Sequence, residues 1–404
     1  MDYNAFFLQS LKDIKSDGRY RTFISLERMC GKAPYALWHQ PNREVKRVIV
    51  FCSNDYLGMS QHPEVLQAFH KAADTYGVGS GGTRNISGTS QAHVHLEKTV
   101  ASLHTKEAGL LFSSGYTANK ASLHILGSQI PNCVLFSDEK NHASMIHGIR
   151  YSGTERHVFA HNNMADLEEK LKAQPLDRPK IIAFVSVYSM DGDFASIGHV
   201  VELSKKYKAL TFLDEVHAVG LYGPGGAGLA AAQGFGKDID IIQGNFAKGY
   251  GVVGGYIASS LPLVDFVRSF APGFIFTTSM PPAVAAACQK SVEIQQQSDR
   301  YRKELFGKVL YLKDKLSKTG VNVIRNESHI VPVHVGNALK CKELCDRLLY
   351  DYSLYLQPIN YPTVPVGEER IRITVTPQHT LEHIDSLIVA LKALWKELAL
   401  AKAA

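Results

Sequence analysis

The chain has 404 residues, of which 45% are hydrophobic and 20% are charged. This composition is typical of a globular protein of about two or three domains, and it excludes a disordered polypeptide. Lys and Arg number 44 against 38 Asp and Glu, a formal net charge of +6. Because these residues are scattered, no nucleic-acid-binding stripe is predicted, although anionic ligands are allowed.

The cysteines and the N-terminus favour a cytoplasmic protein. Six cysteines are too few for a disulfide scaffold, and Cys341 and Cys345 lack the second pair that a zinc site needs, so no metal is predicted. The start of the chain lacks a signal peptide's basic and apolar regions, and no apolar stretch approaches the ~18 residues of a membrane span. The remaining cysteines are predicted to be small buried residues: Cys30, Cys52, Cys133 and Cys288.

Residues 1–45 are predicted to form an N-terminal segment. Phe6, Leu8, Leu11 and Ile14 recur at helical spacing, which indicates an amphipathic helix. An irregular, aromatic-containing stretch is expected to follow it.

Residues 46–290 are predicted to form a large α/β domain. Short apolar runs alternate with helical stretches, and the runs are continuous, as in strands buried on both faces of a parallel sheet. We therefore expect a three-layer, mostly parallel sheet. The predicted strands are Val48–Phe51, Ala108–Phe112, Cys133–Phe136, Ile181–Val187, Leu210–Leu213, Ile239–Ile242 and Gly254–Ala258.

Residues 291–404 are predicted to form a smaller α+β domain. A single long helix is expected from Ala283 to about Leu316, across the boundary between the two domains. The later elements are strands at Val321–Ile324, Ile330–Val335 and Ile371–Val375, and helices at Lys342–Leu349 and Leu381–Leu398.

Polar residues follow five of the predicted strands. In an open parallel sheet, ligands bind beyond the carboxyl ends of the strands. Because five such segments converge on one edge, we predict a single site there. The segments are Ser113–Thr117, Ser137 to His142, Tyr188–Gly192, Asp214–His217 and Gln243–Gly251.

Two charged residues in these segments need partners. Asp214 ends an apolar strand, where a carboxylate stays charged only beside a cation or a helix end. Lys248 lies in a glycine-rich, mostly uncharged stretch, where a buried lysine is costly unless its pKa falls or its amine bonds covalently to a ligand. A salt bridge for Asp214 and a surface position for Lys248 are the alternatives.

Together these groups match the requirements of pyridoxal phosphate. The cofactor needs a lysine for its aldehyde, a carboxylate for its pyridine nitrogen, a flat group on its ring and a cup for its phosphate. Lys248, Asp214, His142 and the 113–117 loop supply them in turn. Each has a simpler alternative, since Ser113–Gly115 could be only a helix cap and His142 a packed histidine.

The glycine-rich stretch Gly77–Gly82 looks like a dinucleotide-binding loop, but its sequence context does not fit one. A dinucleotide-binding loop should follow a strand and open a helix, whereas Pro63–Tyr76 has a helical pattern and a loop follows the glycines. His93 and His95 lack acidic or thiolate partners nearby, so surface positions are expected for both.

The ordered motifs resemble the α-oxoamine synthases, which are fold-type I pyridoxal-phosphate enzymes that join an acyl-CoA to an amino acid. The resemblance covers essentially the whole chain. It is carried by Gly18–Phe23, Ser53–Gly58, Gly79–Gly88, Asn141–Ser144, Asp214–Gly220 and Pro358–Pro365.

Within that family the chain is most similar to members that use glycine and succinyl-CoA. The resemblance implies an acyltransferase that releases CoA and CO₂ and forms 5-aminolevulinate, a precursor of heme and other tetrapyrroles. It also implies a homodimer with shared active sites, in which residues 1–45 contact the acyl-CoA and the second subunit. Neither nucleic acid nor a membrane is an expected partner.

The resemblance also implies roles for individual residues. Lys248 would bind the cofactor covalently and act as the base, with His142, Asp214 and His217 as the other catalytic residues. The expected cofactor contacts are Gly115, Tyr116, His142, Ser189, Asp214, His217, Asn245 and Lys248, with Thr277 and Thr278 from the neighbouring subunit. The expected substrate contacts are Arg21, Thr83 and Asn85 for the succinyl carboxylate, Asn54 and Arg372 for the amino-acid carboxylate, and in addition Ser137 and Thr363.

Three residues depart from the family pattern. Asn245 stands where Thr or Ser is usual, Val185 replaces a Glu, and Val366 replaces a basic residue. Together they could weaken cofactor binding or alter acyl-CoA handling.

Two alternatives remain open. One is a sibling enzyme that uses another acyl-CoA or another amino acid, such as a glycine acetyltransferase, although Arg21 and Asn85 argue for a charged acyl group. The other is a scaffold that binds pyridoxal phosphate without catalysis.

Overall fold

A computed structural model describes residues 1–401 and divides the chain into two compact units. The large unit comprises Met59–Tyr188 and Asp193–Arg302. The small unit comprises Met1–Gly58, Ser189–Gly192 and the chain from Lys303 onward. No helix within residues 1–401 is long and apolar enough to cross a membrane.

The N-terminal part of the small unit is more regular than predicted. Helix α1 spans Tyr3–Ser16 and is capped by Asp2, whose side chain accepts a hydrogen bond from the amide of Ala5. The stretch expected to be irregular contains strands, because alternate residues such as Ala36 and Trp38 turn inward and are buried. These strands are β1 (Ser25–Arg28), β2 (Tyr35–His39) and β3 (Val45–Val50).

The large unit is built around a seven-stranded sheet. The strand order is β4-β10-β9-β8-β7-β5-β6, and only β10 runs antiparallel to its neighbours within this sheet. The strands are β4 (Ala108–Phe112), β5 (Val134–Asp138), β6 (Glu155–Phe159), β7 (Lys180–Val185), β8 (Ala209–Asp214), β9 (Ile241–Asn245) and β10 (Gly255–Ser259).

The sheet is the centre of three layers, as predicted. Every residue of β5, β7, β9 and β10 is buried, and since successive side chains point to opposite faces, both faces must be covered. The helices are α2 (Pro63–Tyr76), α3 (Gln91–Leu103), α4 (Gly115–Gln129), α5 (Ala143–Tyr151), α6 (Met164–Lys172), α7 (Ile197–Tyr207), α8 (Leu229–Ala232), α9 (Leu261–Phe270), α10 (Pro272–Ile275) and α11 (Pro282–Gln297), with 3₁₀ turns at Met59–Gln61 and Pro224–Gly226.

Two smaller sheets complete the small unit. Strand β3 pairs with β12 in the four-stranded sheet β1-β2-β3-β12, and β11-β14-β13 form the other sheet. The elements are α12 (Arg300–Ser317), β11 (Val331–His334), α13 (Ala338–Tyr352), β12 (Leu354–Tyr355), β13 (Pro358–Ile359), β14 (Arg370–Ile373) and α14 (Leu381–Glu397).

Two predicted elements were wrong. The long helix from Ala283 is two helices, α11 and α12, because Ser298 is extended and its hydroxyl accepts the amide hydrogen of Arg300. The predicted strand at Val321–Ile324 is reduced to a single bridge between Val323 and Val333.

Two predicted burial states were also wrong. Cys30 is exposed, since it lies in the loop after β1. His93 is fully buried, because its ring caps α3 through Ser90 and also contacts the carbonyl oxygen of Met280 at 2.7 Å.

Candidate active site

The strand register of the large unit brings the predicted site residues to one edge of the sheet. Asp214 is the last residue of β8, where it pairs with Val185 of β7 and Gln243 of β9. Asn245 ends β9, and Lys248 follows three residues later. His142 lies in the short connection after β5. The predicted convergence at the carboxyl ends of the strands is therefore present.

Asp214 is a buried carboxylate whose two oxygens are fixed by neutral donors. Only 3% of the residue is exposed. Its Oδ1 accepts the amide hydrogen of Val216 at 2.9 Å, and its Oδ2 accepts one from the side chain of Asn119 at 2.7 Å. An ionised carboxylate held in this way attracts a cationic group such as a protonated pyridine nitrogen.

His142 is held at the start of α5 by its own ring. Its Nδ1 lies 2.7 Å from the hydroxyl of Ser144 and 3.3 Å from that residue's amide nitrogen. Desolvation lowers the pKa of His142, Asp214 raises it, and the positive charges of Lys248 and His147 lower it further. The balance favours a neutral ring.

Lys248 and His217 complete this edge of the sheet. Lys248 is half-buried in the turn between β9 and β10, and its charge acts on the ring of His142. His217 is 7% exposed and lies three residues after Asp214. Lys248, Asp214 and His142 thus lie near one another where the sequence predicts a cofactor, and His217 follows Asp214 closely along the chain.

The N-terminus of α4 has the features of an anion cup. The Ser114 hydroxyl caps this 15-residue helix by accepting the amide hydrogen of Thr117 at 3.1 Å. The remaining amides of the first turn have no partner inside the helix and favour an anion. A Cβ atom on Gly115 would lie 3.1 Å from the Cβ of Asn245, so only glycine leaves this approach open. Tyr116 is held beside the cup by a hydrogen bond to the ring of His147.

These features fit pyridoxal phosphate. The buried carboxylate matches the pyridine nitrogen, the lysine matches the aldehyde, and the helix N-terminus matches the phosphate. In addition, the buried Oδ1 of Asn245 has no hydrogen-bond partner among residues 1–401. Because this oxygen only accepts, the NH₂ group of the Asn245 amide is the end that could donate to a phosphate beside Gly115.

In a second part of the large unit, two predicted substrate contacts, Thr83 and Asn85, lie close to Thr277 and Thr278. The latter two were predicted to bind the cofactor of the neighbouring subunit. Thr83 and Thr278 form an isolated β-bridge, and the Thr83 hydroxyl donates to Oδ1 of Asn85 at 2.7 Å. Thr277 is half-buried beside Thr278. The four polar side chains therefore belong to one local structure.

The small unit brings together Arg372 and Asn54, the residues predicted to bind the amino-acid carboxylate. The guanidinium of Arg372 donates to Oδ1 of Asn54 at 2.6 Å and to the carbonyl oxygen of Ser189 at 3.2 Å. The hydroxyl of Tyr56 reaches the same Asn54 oxygen at 3.3 Å. Both acceptors of Arg372 are neutral, so its charge remains available to an anion.

The small unit also contains a cleft of about 390 Å³ that includes Arg21. The guanidinium of Arg21 donates to the hydroxyl of Thr363 at 3.1 Å. Arg19 and Lys342 also line the cleft, and each pairs with a carboxylate, Asp17 and Asp346 respectively. Three cationic side chains and one carboxylate, Asp346, therefore line the cleft, and the hydrogen-bond partner of Arg21 is uncharged.

Three other positions singled out in the sequence, Ser137, Val185 and Val366, differ in their burial. Ser137 is 4% exposed and accepts a hydrogen bond from Asn141 at 2.9 Å. Val185 is buried at the end of β7, and Val366 is 78% exposed.

Two residues that contact the site were missed by the sequence analysis. Asn119 lies one helical turn after Gly115 and reaches Asp214, so its i+4 spacing was the available signal. Ser144 stands in the same short motif as His142, where only the histidine was assigned a role.

The comparisons with known proteins agree with this geometry. The family described as aminotransferase class I and II matches residues 46–391. The chain is 51% identical to 5-aminolevulinate synthase from Rhizobium meliloti over 403 residues, which is 100% of both chains. It is 50% identical to 5-aminolevulinate synthase 1 from Cereibacter sphaeroides over 403 residues, 100% of this chain and 99% of that one.

A solved structure supports the same conclusion about the fold. Serine palmitoyltransferase from S. paucimobilis, in a form with PLP and myriocin bound, is 27% identical with a TM-score of 0.90. The match covers 99% of this chain and 100% of that chain.

Fold and site together define a fold-type I, pyridoxal-phosphate-dependent transferase. The sequence identity of 50–51% to 5-aminolevulinate synthases over the full length identifies the family within this class. The chain belongs to the 5-aminolevulinate synthase family.

Proposed function

We propose that this chain condenses glycine with succinyl-CoA and releases 5-aminolevulinate, CoA and CO₂. The observation that carries the proposal is the full-length similarity to 5-aminolevulinate synthases. The convergence of Lys248, Asp214 and His142 supports it independently. The product is a precursor of tetrapyrroles.

The cofactor contributes the chemistry that side chains lack. When bound, pyridoxal phosphate supplies an aldehyde that joins an amine and a ring that draws electrons from the carbon beside that amine. The Nζ of Lys248 would hold the cofactor through its aldehyde and would be the base for the α-proton of glycine. The carboxylate of Asp214 would keep the pyridine nitrogen protonated, and His142 would pack its flat ring on the cofactor.

The remaining groups of the cofactor are assigned by the same motifs. By these motifs, His217 and Ser189 would interact with the phenolic oxygen, and Gly115, Tyr116 and Asn245 would bind the phosphate. Thr277 and Thr278 of a second subunit would also bind that phosphate.

Two sets of residues bind the substrates. Arg372 and Asn54 bind the carboxylate of glycine, which is supported by the neutral acceptors that Arg372 has in this structure. Arg21 binds the succinyl carboxylate. Thr83 and Asn85 supply further hydrogen bonds to that carboxylate, and Ser137 and Thr363 contact the acyl-CoA. The cleft lined by Arg21 and Thr363 supports the assignment of these two residues.

We also propose a homodimer with shared active sites. No residue of α1 is buried, and Phe6, Phe7 and Leu8 are between 52% and 68% exposed. Apolar faces of this kind are typical of a surface that a partner covers. In the large unit, Ile86 and Phe276 are separately exposed, at 78% and 80%.

The dimer is tested by sedimentation of the parent and of a variant with Phe6→Asp and Phe7→Asp. The parent should have twice the 44.5 kDa of one chain, whereas the variant should dissociate and bind the cofactor more weakly. Leu310→Asp is the control, since Leu310 is 68% exposed on α12. A monomeric parent would refute the dimer.

A cytoplasmic location agrees with six cysteines that are all free thiols.

Turnover with a panel of CoA thioesters tests the reaction. Purified protein with pyridoxal phosphate and glycine should use succinyl-CoA with a higher specificity constant than acetyl- or butyryl-CoA. Lys248→Ala should lose nearly all turnover, because one group is both the anchor and the base. Preference for acetyl-CoA would assign a sibling reaction instead, and turnover of Lys248→Ala within about tenfold of the parent would exclude the role of Lys248.

A further inference from the structure

We propose that Asn119 and Ser144 are positioning residues that join Asp214 to His142 through a continuous chain of hydrogen bonds. We call this chain of four side chains the relay. The inference deepens the proposed function, since it concerns how this protein holds the two groups that act on its cofactor.

Asn119 is the link on the side of Asp214. It is 1% exposed, and its Nδ2 lies 2.7 Å from Oδ2 of Asp214 and 3.0 Å from Oγ of Ser144. The amide nitrogen carries two hydrogens, so both are used.

The orientation of the Asn119 amide follows from the same contacts. A flipped amide would place its oxygen 2.7 Å from the carboxylate of Asp214, which is a repulsive contact between two acceptors. The Oδ1 atom itself has no hydrogen-bond partner among residues 1–401. The two donated hydrogen bonds therefore fix this side chain.

Ser144 is the link on the side of His142. It is fully buried, and its amide nitrogen lies 3.3 Å from Nδ1 of His142 while its hydroxyl oxygen lies 2.7 Å from the same atom. A backbone amide can only donate, so Nδ1 must carry a lone pair. The hydroxyl accepts from Asn119 and directs its own hydrogen to Nδ1.

The relay therefore sets the protonation form of His142. With Nδ1 accepting two hydrogens, the ring proton lies on Nε2. A second proton, on Nδ1, would break the contact to the Ser144 amide and would force the Ser144 hydroxyl to accept instead of donate. The charged groups near the ring act as described above: Lys248 and His147 oppose a cationic ring, and Asp214 favours it. In addition to these charges, the hydrogen bonds of the relay favour the neutral His142 ring. They also connect the position of the Asp214 side chain to that of the His142 ring.

A double-mutant cycle on cofactor binding tests the coupling. The dissociation constant of pyridoxal phosphate is measured for the parent, Asn119→Ala, Ser144→Ala and the double variant. Loss of a donor to a charged carboxylate should weaken binding by about tenfold or more in Asn119→Ala, and loss of a neutral hydrogen bond by about fivefold in Ser144→Ala. The double variant should lose clearly less than the product of the two effects.

Ser122→Ala is the matched control. Ser122 is on the same helix as Asn119 and is fully buried, but its hydroxyl has no hydrogen-bond partner in residues 1–401. Its removal should change cofactor binding by less than about twofold. Effects of Asn119→Ala and Ser144→Ala that multiply in the double variant, or that match Ser122→Ala, would overturn the relay.

A measurement on the unaltered holoenzyme does not depend on how the variants fold. Nitrogen-15 NMR of labelled histidines, with His142 assigned by the signal lost in His142→Gln, should show a neutral ring protonated at Nε2. A proton on Nδ1 would overturn the relay. Neither readout requires substrate, so the relay can fail while turnover with glycine and succinyl-CoA persists, and the converse also holds.

Discussion

Replacing Arg21 with leucine should impair succinyl-CoA far more than butyryl-CoA. The two acyl groups have the same carbon chain length, and only the succinyl group ends in a carboxylate. A carboxylate that leaves water without a cationic partner costs several kcal/mol. A butyryl group makes no such demand, and the leucine side chain would favour it.

The size of the effect follows from the cleft. Arg19 already pairs with Asp17 at 2.5 Å, and Lys342 pairs with Asp346. The guanidinium of Arg21 instead donates to the neutral hydroxyl of Thr363, at 3.1 Å. Stranding one member of a desolvated charge pair costs about 2–4 kcal/mol, so discrimination between the two substrates should shift by about 30- to 1000-fold.

The assay compares kcat/KM for succinyl-CoA and butyryl-CoA at one ionic strength in the parent, Arg21→Leu and Arg19→Leu. Arg19 lines the same cleft but already has a carboxylate partner, so its replacement should change the ratio of the two constants little. The reasoning is refuted if Arg21→Leu lowers both constants by the same factor. Arg21 would then be structural.

Three further outcomes are expected. Asp214→Asn should fold but slow the exchange of the glycine α-hydrogen with solvent by about a hundredfold or more, because a neutral amide cannot hold the pyridine proton; an unchanged exchange rate by NMR would contradict this role. Asn245→Thr should tighten cofactor binding, by up to about tenfold, because the threonine hydroxyl can donate a compact, charge-assisted hydrogen bond to the phosphate; equal dissociation constants would mean that Asn245 already fills the role. Desolvation lowers the pKa of His161, but hydrogen bonds to Asp138 and Asp193 outweigh it and raise the pKa from 6.5 to about 9. The protonated His161 ring therefore stabilises the fold by up to about 3 kcal/mol. This stabilisation is fully present below pH 6.5 and is lost as the pH rises through about 9. The free energy of unfolding, measured with urea across this pH range, should depend less on pH in His161→Gln than in the parent. An equal pH dependence in the two proteins would refute this role of His161.

The strands of the large unit were predictable because they are buried on both faces. Continuous apolar runs such as Ile181–Val187 leave few other interpretations, and β7 forms there. The two strands before residue 45 were missed because one face is partly exposed and the pattern is interrupted by polar residues. The break between α11 and α12 was missed because it contains neither glycine nor proline, only the Ser298 cap.

The site was predictable where chemistry restricts the residue type. A lysine in a glycine-rich turn and an aspartate at a buried strand end have few roles, and both lie at the carboxyl edge of the sheet. Asn119 was missed because its i+4 spacing from Gly115 was the only signal, and that spacing alone does not assign a role to an amide inside a helix. Its function depends on a contact with Asp214, 95 positions away, which only the folded chain reveals.

The fate of the two glycine carbons tests the central claim most directly. Purified protein with pyridoxal phosphate is given succinyl-CoA and glycine labelled with carbon-13 at either the carboxyl or the α-carbon. The account predicts that the carboxyl label appears in CO₂ and the α-carbon label in 5-aminolevulinate, with one CoA released for each product molecule. Retention of the carboxyl label in the product, or CoA release without 5-aminolevulinate, would contradict the proposed condensation.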